Sequence, residues 1–281
     1  MADVYATIAE ADEDLQARLA SVLGLRAADP QQRAMLEEYT AELELPGAAE
    51  LLEVGCGTGA ICRYLATLPQ VAHVTGVDPS PLFVERAREL AGDAEAGEAH
   101  AGDERAARGR IEFATGDGRD LDLEDESYDA VVFHTALCHM PECERALAEA
   151  HRVLQPGGRL ALFDGDYATM TLALDARDPL QSCAAAVLDM LVHDPWLMRR
   201  IAPLLAQPGF EDRGVRGHSS TSVTGTDYFM ALVDRGADAL AAGGTVRAEA
   251  AAALKQEART RVEPGTFFGH ISYVSAQARK R

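Results

Sequence analysis

Leu15, Leu19, Val22 and Leu23 recur at i, i+4, i+7 and i+8, which is one stripe of an α-helix. Asp29-Pro30 opens a second helical pattern carrying Met35, Leu36 and Tyr39, and Leu45-Pro46-Gly47 closes it. From Glu50 onward the pattern changes to short apolar runs alternating with helical stretches. Residues 51–54, 71–77, 111–115, 128–133 and 159–163 read as strands. Residues 60–68, 81–90 and 142–154 read as the helices between them. Alternation of this kind predicts a parallel sheet with right-handed crossovers and helices on both faces.

Residues 91–110 hold almost no large apolar side chain and are expected to be a solvated loop or a frayed helix extension. Residues 166–208 read as helical and hold the only tryptophan, Trp196. Residues 210–223 follow as a strand, 226–242 and 245–259 as helices, and 267–275 as a last strand. No internal repeat is evident.

Charge narrows the partners. With 26 basic and 45 acidic residues the formal charge is −19. Such a surface repels phosphate backbones and anionic membranes, so neither nucleic acid nor membrane is an expected partner. The five cysteines, Cys56, Cys62, Cys138, Cys143 and Cys183, form no C-x-x-C pair and read as reduced thiols. The start of the chain shows no signal core, and no apolar run is long enough to span a membrane, so a cytoplasmic protein is expected.

The first strand runs into Gly55-Cys56-Gly57-Thr58-Gly59. Glycines there allow a tight turn and a close ligand approach at a helix start. The run with Ala60 also satisfies the dinucleotide fingerprint, and Asp78 follows Gly55 by 23 residues, the offset of a ribose-binding carboxylate. Asp78 alone equally suits a helix cap. Two further acids tip the balance. Glu53 sits just before the glycines, awkward beside a pyrophosphate but natural beside an ammonium. Asp117 lies in the flexible turn Thr115-Gly116-Asp117-Gly118.

The segments LEVGCGTG, GVDPS, GDGRDL, SYDAVVFH and HRVLQPGG, in that order over residues 50–165, resemble the class I S-adenosylmethionine-dependent methyltransferases. The match is to the branch of ubiquinone/menaquinone-biosynthesis C-methyltransferases and related small-molecule methyltransferases. The resemblance implies an α/β, Rossmann-like fold with a seven-stranded, mostly parallel sheet and an antiparallel last strand. It implies that Glu53, Gly55, Gly57 and Gly59 border the methionine moiety. Asp78 would take the ribose hydroxyls with Pro79 beside it. Asp117 would accept from the adenine amine near Gly118, and His134 would offer its backbone carbonyl. The expected division is a helical lid over residues 1–49 and a catalytic domain over 50–281 with a helical insertion at 166–208.

The acceptor should approach from the C-terminal end of the fourth strand. His139 there is either a packed structural histidine or an acceptor-side base. Asp166 and Tyr167 after the fifth strand, and His193 before Asp194, are further catalytic candidates, with solvated turn acids and helix caps as the bland alternatives. Tyr5, Tyr39 and Trp196 are substrate or lid candidates, by cation–π contact with a sulfonium or by core packing. His134, Cys138 and His139 lack a fourth ligand, so no metal is expected. The expected reaction is methyl transfer to carbon, nitrogen or oxygen of a small molecule, plausibly an aromatic or indole-like compound of bacterial specialised metabolism. The expected partners are that acceptor and, optionally, a second copy of the chain. Two rivals stand beside this reading: an S-adenosylmethionine-binding protein that cyclises or only binds, and, remotely, a nicotinamide-dependent oxidoreductase.

Overall fold

The computed structural model describes residues 3–93, 110–206 and 209–281. Two helices open the chain, α1 (Glu13–Ala28) and α2 (Pro30–Thr40). Asp12 caps α1 by accepting from the backbone N–H of Leu15 at 2.8 Å. Asp29 caps α2, accepting from Gln31 and Gln32, with Pro30 at the first helical position where its missing N–H costs nothing. The alternating part comprises β1 (Ala49–Val54), α3 (Ala60–Leu65), β2 (Val71–Asp78), α4 (Pro81–Asp93), β3 (Ile111–Thr115), β4 (Tyr128–His134), α5 (Cys143–Val153) and β5 (Leu154–Thr171). After it come α6 (Gln181–Leu191), α7 (Ile201–Leu205), β6 (Phe210–Ser222), α8 (Asp227–Ala242), α9 (Ala248–Val262) and β7 (Gly269–Lys280).

The strands form one seven-stranded sheet in the order β3-β2-β1-β4-β5-β7-β6. Strands β3, β2, β1, β4 and β5 pair in parallel, and β7 runs antiparallel to both β5 and β6. The order reverses between β1 and β4, so a crevice opens beyond the carboxyl ends of these two strands, where Val54 and His134 lie. Leu51, Leu52 and Val54 of β1 and Val131 and Val132 of β4 are buried. Such continuous apolar runs belong to strands covered on both faces.

The expectations for the second half need correction. The fifth strand is not confined to 159–163 but spans Leu154–Thr171, so residues 166–171 are strand and not helix. The insertion's first helix starts only at Gln181. The reason is a partner: β7 continues to Lys280, past the expected end at 275, and its antiparallel ladder carries β5 through Asp166 and, after a bulge, to Thr171. Lys280 donates from Nζ to the Leu154 carbonyl at 2.7 Å, anchoring the far end. The last helix covers 248–262 rather than 245–259. Most of the loop expected at 91–110 lies outside the described residues. Among the described residues, no helix is long and apolar enough to cross a membrane.

The two N-terminal helices differ in role. Met35, Leu36 and Tyr39 of α2 join the main core. Leu19 of α1 forms a small separate cluster with Ile8 and Phe83. Thus α2 is part of the body, while α1 is held by a few contacts across the mouth of the crevice.

Candidate functional site

Between β1 and α3 the chain turns through Gly55, Gly57 and Gly59 with φ of +77°, +52° and +73°, a region that side chains with a Cβ avoid. A Cβ at Gly55 would also stand 2.5 Å from the Ala136 Cβ after β4. The turn is fixed to the next strand by Gly55 and Cys56, whose N–H groups both donate to the Val77 carbonyl at 2.7 and 3.0 Å. This brings the glycine turn, the end of β2 and the segment after β4 around one cavity of about 1370 Å³. Single-ligand pockets usually run to roughly 1,000 Å³ at most, so this one has room for two small molecules together.

Five carboxylates line the cavity, and three of them, Glu53, Asp78 and Asp117, lie at the carboxyl ends of β1, β2 and β3. Glu53 is buried, accepts from the Cys62 thiol at 2.8 Å, and is pushed up to about 8 by burial. Asp78 is buried and accepts from the N–H of Gly57 at 2.8 Å through one oxygen and of Ser80 at 2.9 Å through the other. Burial raises it to about 6, with those two backbone donors opposing the rise. One further lone pair on each oxygen remains for a ligand. Asp117 holds the Arg119 guanidinium in a fork, with Nη2–Oδ2 at 2.7 Å and Nε–Oδ1 at 2.9 Å. Those hydrogen bonds hold its carboxyl below its ordinary range. Asp117 is therefore paired within the protein, and the neighbouring Gly118 backbone borders the cavity with it.

His134, expected to offer its backbone carbonyl, also lines the cavity. The carbonyl accepts from the Thr135 hydroxyl at 2.7 Å. The ring is buried, with Nδ1 2.9 Å from the Tyr39 hydroxyl and its face stacked on Phe163. Burial, reinforced by the nearby Arg26 charge, drives its pKa well down, so the imidazole is neutral.

On the acceptor side, His139 closes a short 3-10 turn, Leu137–His139, and lines the cavity. Its Nδ1 lies 2.8 Å from Asp3 Oδ2 and its ring 4.7 Å from that of Tyr5. Asp3 also accepts from the backbone N–H of Tyr5 and of His193, at 2.8 and 2.7 Å. The turn is held from below by buried Asp164, which accepts from the Cys138 N–H at 3.0 Å. Tyr5 and Tyr167 line the cavity. The remaining candidates stand elsewhere. Tyr39 is a core side chain stacked on Phe163. Asp166 forms an ion pair with Arg199 at 2.9 Å, outside the cavity lining. Trp196 is 52% exposed with the Arg199 guanidinium over its ring. His193 enters the network through its backbone and does not line the cavity.

Sequence reasoning missed Asp3, Arg26, Gln32, Tyr228 and Arg235. Tyr228 and Arg235 lie seven residues apart on α8 with Leu232 between them, and all three line the cavity. A spacing of seven is one helix face. That periodicity was readable, but which face of α8 meets the crevice is set by the sheet order alone. Among the described residues no group of three His, Cys, Asp or Glu side chains is placed to hold a metal.

Comparison with known proteins agrees with this geometry. Residues 52–162 match the family model described as a methyltransferase domain. The chain is 35% identical over 162 residues to a 27-O-demethylrifamycin SV methyltransferase of Amycolatopsis mediterranei, covering 58% of this chain and 48% of that protein. It is 42% identical over 115 residues to a ubiquinone/menaquinone biosynthesis C-methyltransferase of Methylobacterium nodulans, covering 41% of each. The chain thus spans about half the length of these relatives. The solved structure of the [4+2]-cyclase SpnF superposes with a TM-score of 0.59 at 23% identity, covering 99% of this chain and 97% of that one. That likeness concerns the fold.

Proposed function

We infer that this chain, whose residues 52–162 match the methyltransferase-domain model, binds S-adenosylmethionine and transfers its methyl group to a small-molecule acceptor held in the same cavity. One observation carries the reading: the carboxylates Glu53 and Asp78 are buried against the crevice beside the glycine turn, and the cavity exceeds what one ligand needs. Acids in these places suit a cation bearing a diol and an ammonium, and they oppose a dinucleotide's pyrophosphate.

The residues present fit that group. Glu53 would face the ammonium, which favours its ionised form. Asp78, already oriented by two backbone donors, has lone pairs left for the ribose hydroxyls. The Gly118 backbone and the Asp117–Arg119 pair would border the adenine. When bound, the group supplies a methyl carbon on a sulfonium, displaced in line by an electron pair of the acceptor. The chain's own task is then alignment and exclusion of water. α1 and α8 cover the cavity from outside the sheet and serve the second purpose. His139 has Nδ1 committed to Asp3, so Nε2 is the ring nitrogen left to receive an acceptor proton. Asp3 acts here as the positioning residue that fixes the ring.

The test is incubation with S-adenosylmethionine carrying an isotopically labelled methyl group and a fractionated small-molecule extract. Labelled product together with S-adenosylhomocysteine is the expected result. A second reading, cyclisation without methyl transfer, draws support from the fold shared with the [4+2]-cyclase over nearly the whole chain. It requires that no label leave the donor while a substrate of unchanged mass rearranges.

A further inference from the structure

In a chain of net charge −19, many arginines pair with carboxylates. Arg152, Arg159, Arg199, Arg216, Arg259 and Arg261 all form ion pairs. Two arginines that line the cavity do not. Among the described residues, neither Arg26 nor Arg235 meets a carboxylate within ion-pair distance. Arg26 donates to the Thr135 hydroxyl, and the charge of Arg235 acts on the Tyr5 hydroxyl. The carboxylate whose field reaches Arg26 is Asp164, and its oxygens are already taken by the N–H groups of Cys138 and Gly165.

Beside Arg26 stands Gln32. It lines the cavity, is only 4% exposed, and its amide finds no protein partner beyond the neighbouring Tyr273 hydroxyl. Fully buried Tyr273 is approached by the side chains of Gln32 and Tyr228 and by the Arg26 charge. A buried amide carries an acceptor and two donor hydrogens, so one hydroxyl leaves most of it unmet, and native proteins rarely leave such a group without a ligand or water to complete it. These groups stand over β5 and β7, on the far side of β4 from Glu53 and Asp78. Around them the lining is apolar, with Leu36, Met170, Val187 and Leu191.

Resting on the methyl-transfer reading above, we propose that the methyl acceptor is an apolar molecule carrying one carboxylate. The Arg26 guanidinium and the Gln32 amide, with the Tyr228 hydroxyl, receive this carboxylate at the β5–β7 end of the cavity. Arg26 supplies the charge and the Gln32 Nε2 a donor. The apolar lining takes the body of the molecule. A neutral isostere of the acid would leave the guanidinium without a counter-ion and is selected against for that reason.

The experiment uses the full chain saturated with S-adenosylhomocysteine. The probes are three acids, benzoate, indole-3-acetate and hexanoate, each paired with its primary amide, with binding read by calorimetry or ligand-observed NMR. At least one acid should bind, and bind about 10–100-fold more tightly than its amide, as expected for a hydrogen-bonded charge. Arg26→Met should reduce the acid to the level of the amide while the affinity for S-adenosylhomocysteine changes less than about twofold. Arg26→Lys should restore part of the preference, and Gln32→Leu should lose part of it. Equal binding of acids and amides, or binding of no acid, overturns the proposal. So does an Arg26→Met variant that loses S-adenosylhomocysteine instead, which would assign Arg26 to the carboxylate of the cofactor itself. Failure of the wild-type chain to bind S-adenosylhomocysteine would strike the methyl-transfer reading alone, because the acid-over-amide comparison can be run on the unliganded protein.

Discussion

Glu53 and Asp78 are buried acids whose protonated forms the fold favours. The native state therefore holds a proton that the unfolded chain has released, between pH 4.5 and about 8 for Glu53 and between 3.8 and about 6 for Asp78. In those windows stability falls as pH rises, by up to about 1.4 kcal/mol per pH unit for each group. Glu53→Gln should flatten the upper window, which chemical denaturation at a series of pH values would reveal; an unchanged slope between pH 6.5 and 8 would clear Glu53 of this role. An ammonium placed beside Glu53 reverses the preference. Binding of S-adenosylhomocysteine should then release a proton near pH 6.5 and tighten toward pH 7.5, detectable by calorimetry in buffers of different ionisation enthalpy. Asp78→Ala should weaken the same ligand about 10–100-fold, the loss of hydrogen bonds to a charged group. His139→Ala should lower kcat by about 100-fold or more if Nε2 takes the acceptor proton, with cofactor affinity unchanged. A stable variant with native turnover would return His139 to a packing role.

At the scale of elements, the chain was legible where one strand predicts the next. The runs at β1, β2 and β4 follow from local pattern, because a parallel strand covered on both faces is largely apolar, while β3, at the sheet edge, buries only Phe113. Legibility failed where an element is defined by its partner. Tyr167 to Thr171 looks like a helix entrance until β7 supplies the ladder that keeps it extended. Arg26 and Gln32 are polar positions on helices that local pattern does not mark as inward; the docking of α1 and α2 over the crevice brings them to the cavity. For Tyr39 the sequence left a lid and core packing both open, and the side chain sits in the core. The distinction between the two helices is testable. Removing residues 1–28 takes away α1 but leaves the main core, so the truncated chain should still melt cooperatively while methyl transfer falls sharply. Extending the deletion through α2 removes Met35, Leu36 and Tyr39 from that core and should abolish folding. Undiminished turnover in the shorter truncation would remove α1 from the account.

For the whole molecule, the sheet order places the buried acids Glu53 and Asp78 and the cation Arg26 around one cavity in a strongly acidic protein. A chain built this way gains stability from its ligand. At a hundredfold excess over Kd the gain is about 2.7 kcal/mol, which for a domain of this size raises Tm by roughly 5–10 °C. The central claim is narrower, that the crevice beyond β1 and β4 selects S-adenosylmethionine over a nicotinamide dinucleotide. Equilibrium dialysis with labelled S-adenosylmethionine, competed by S-adenosylhomocysteine and by NADH, tests it most directly. One saturable site per chain, emptied by S-adenosylhomocysteine and untouched by NADH, is the predicted result; no saturable retention, or displacement by NADH at lower concentration than by S-adenosylhomocysteine, would contradict it.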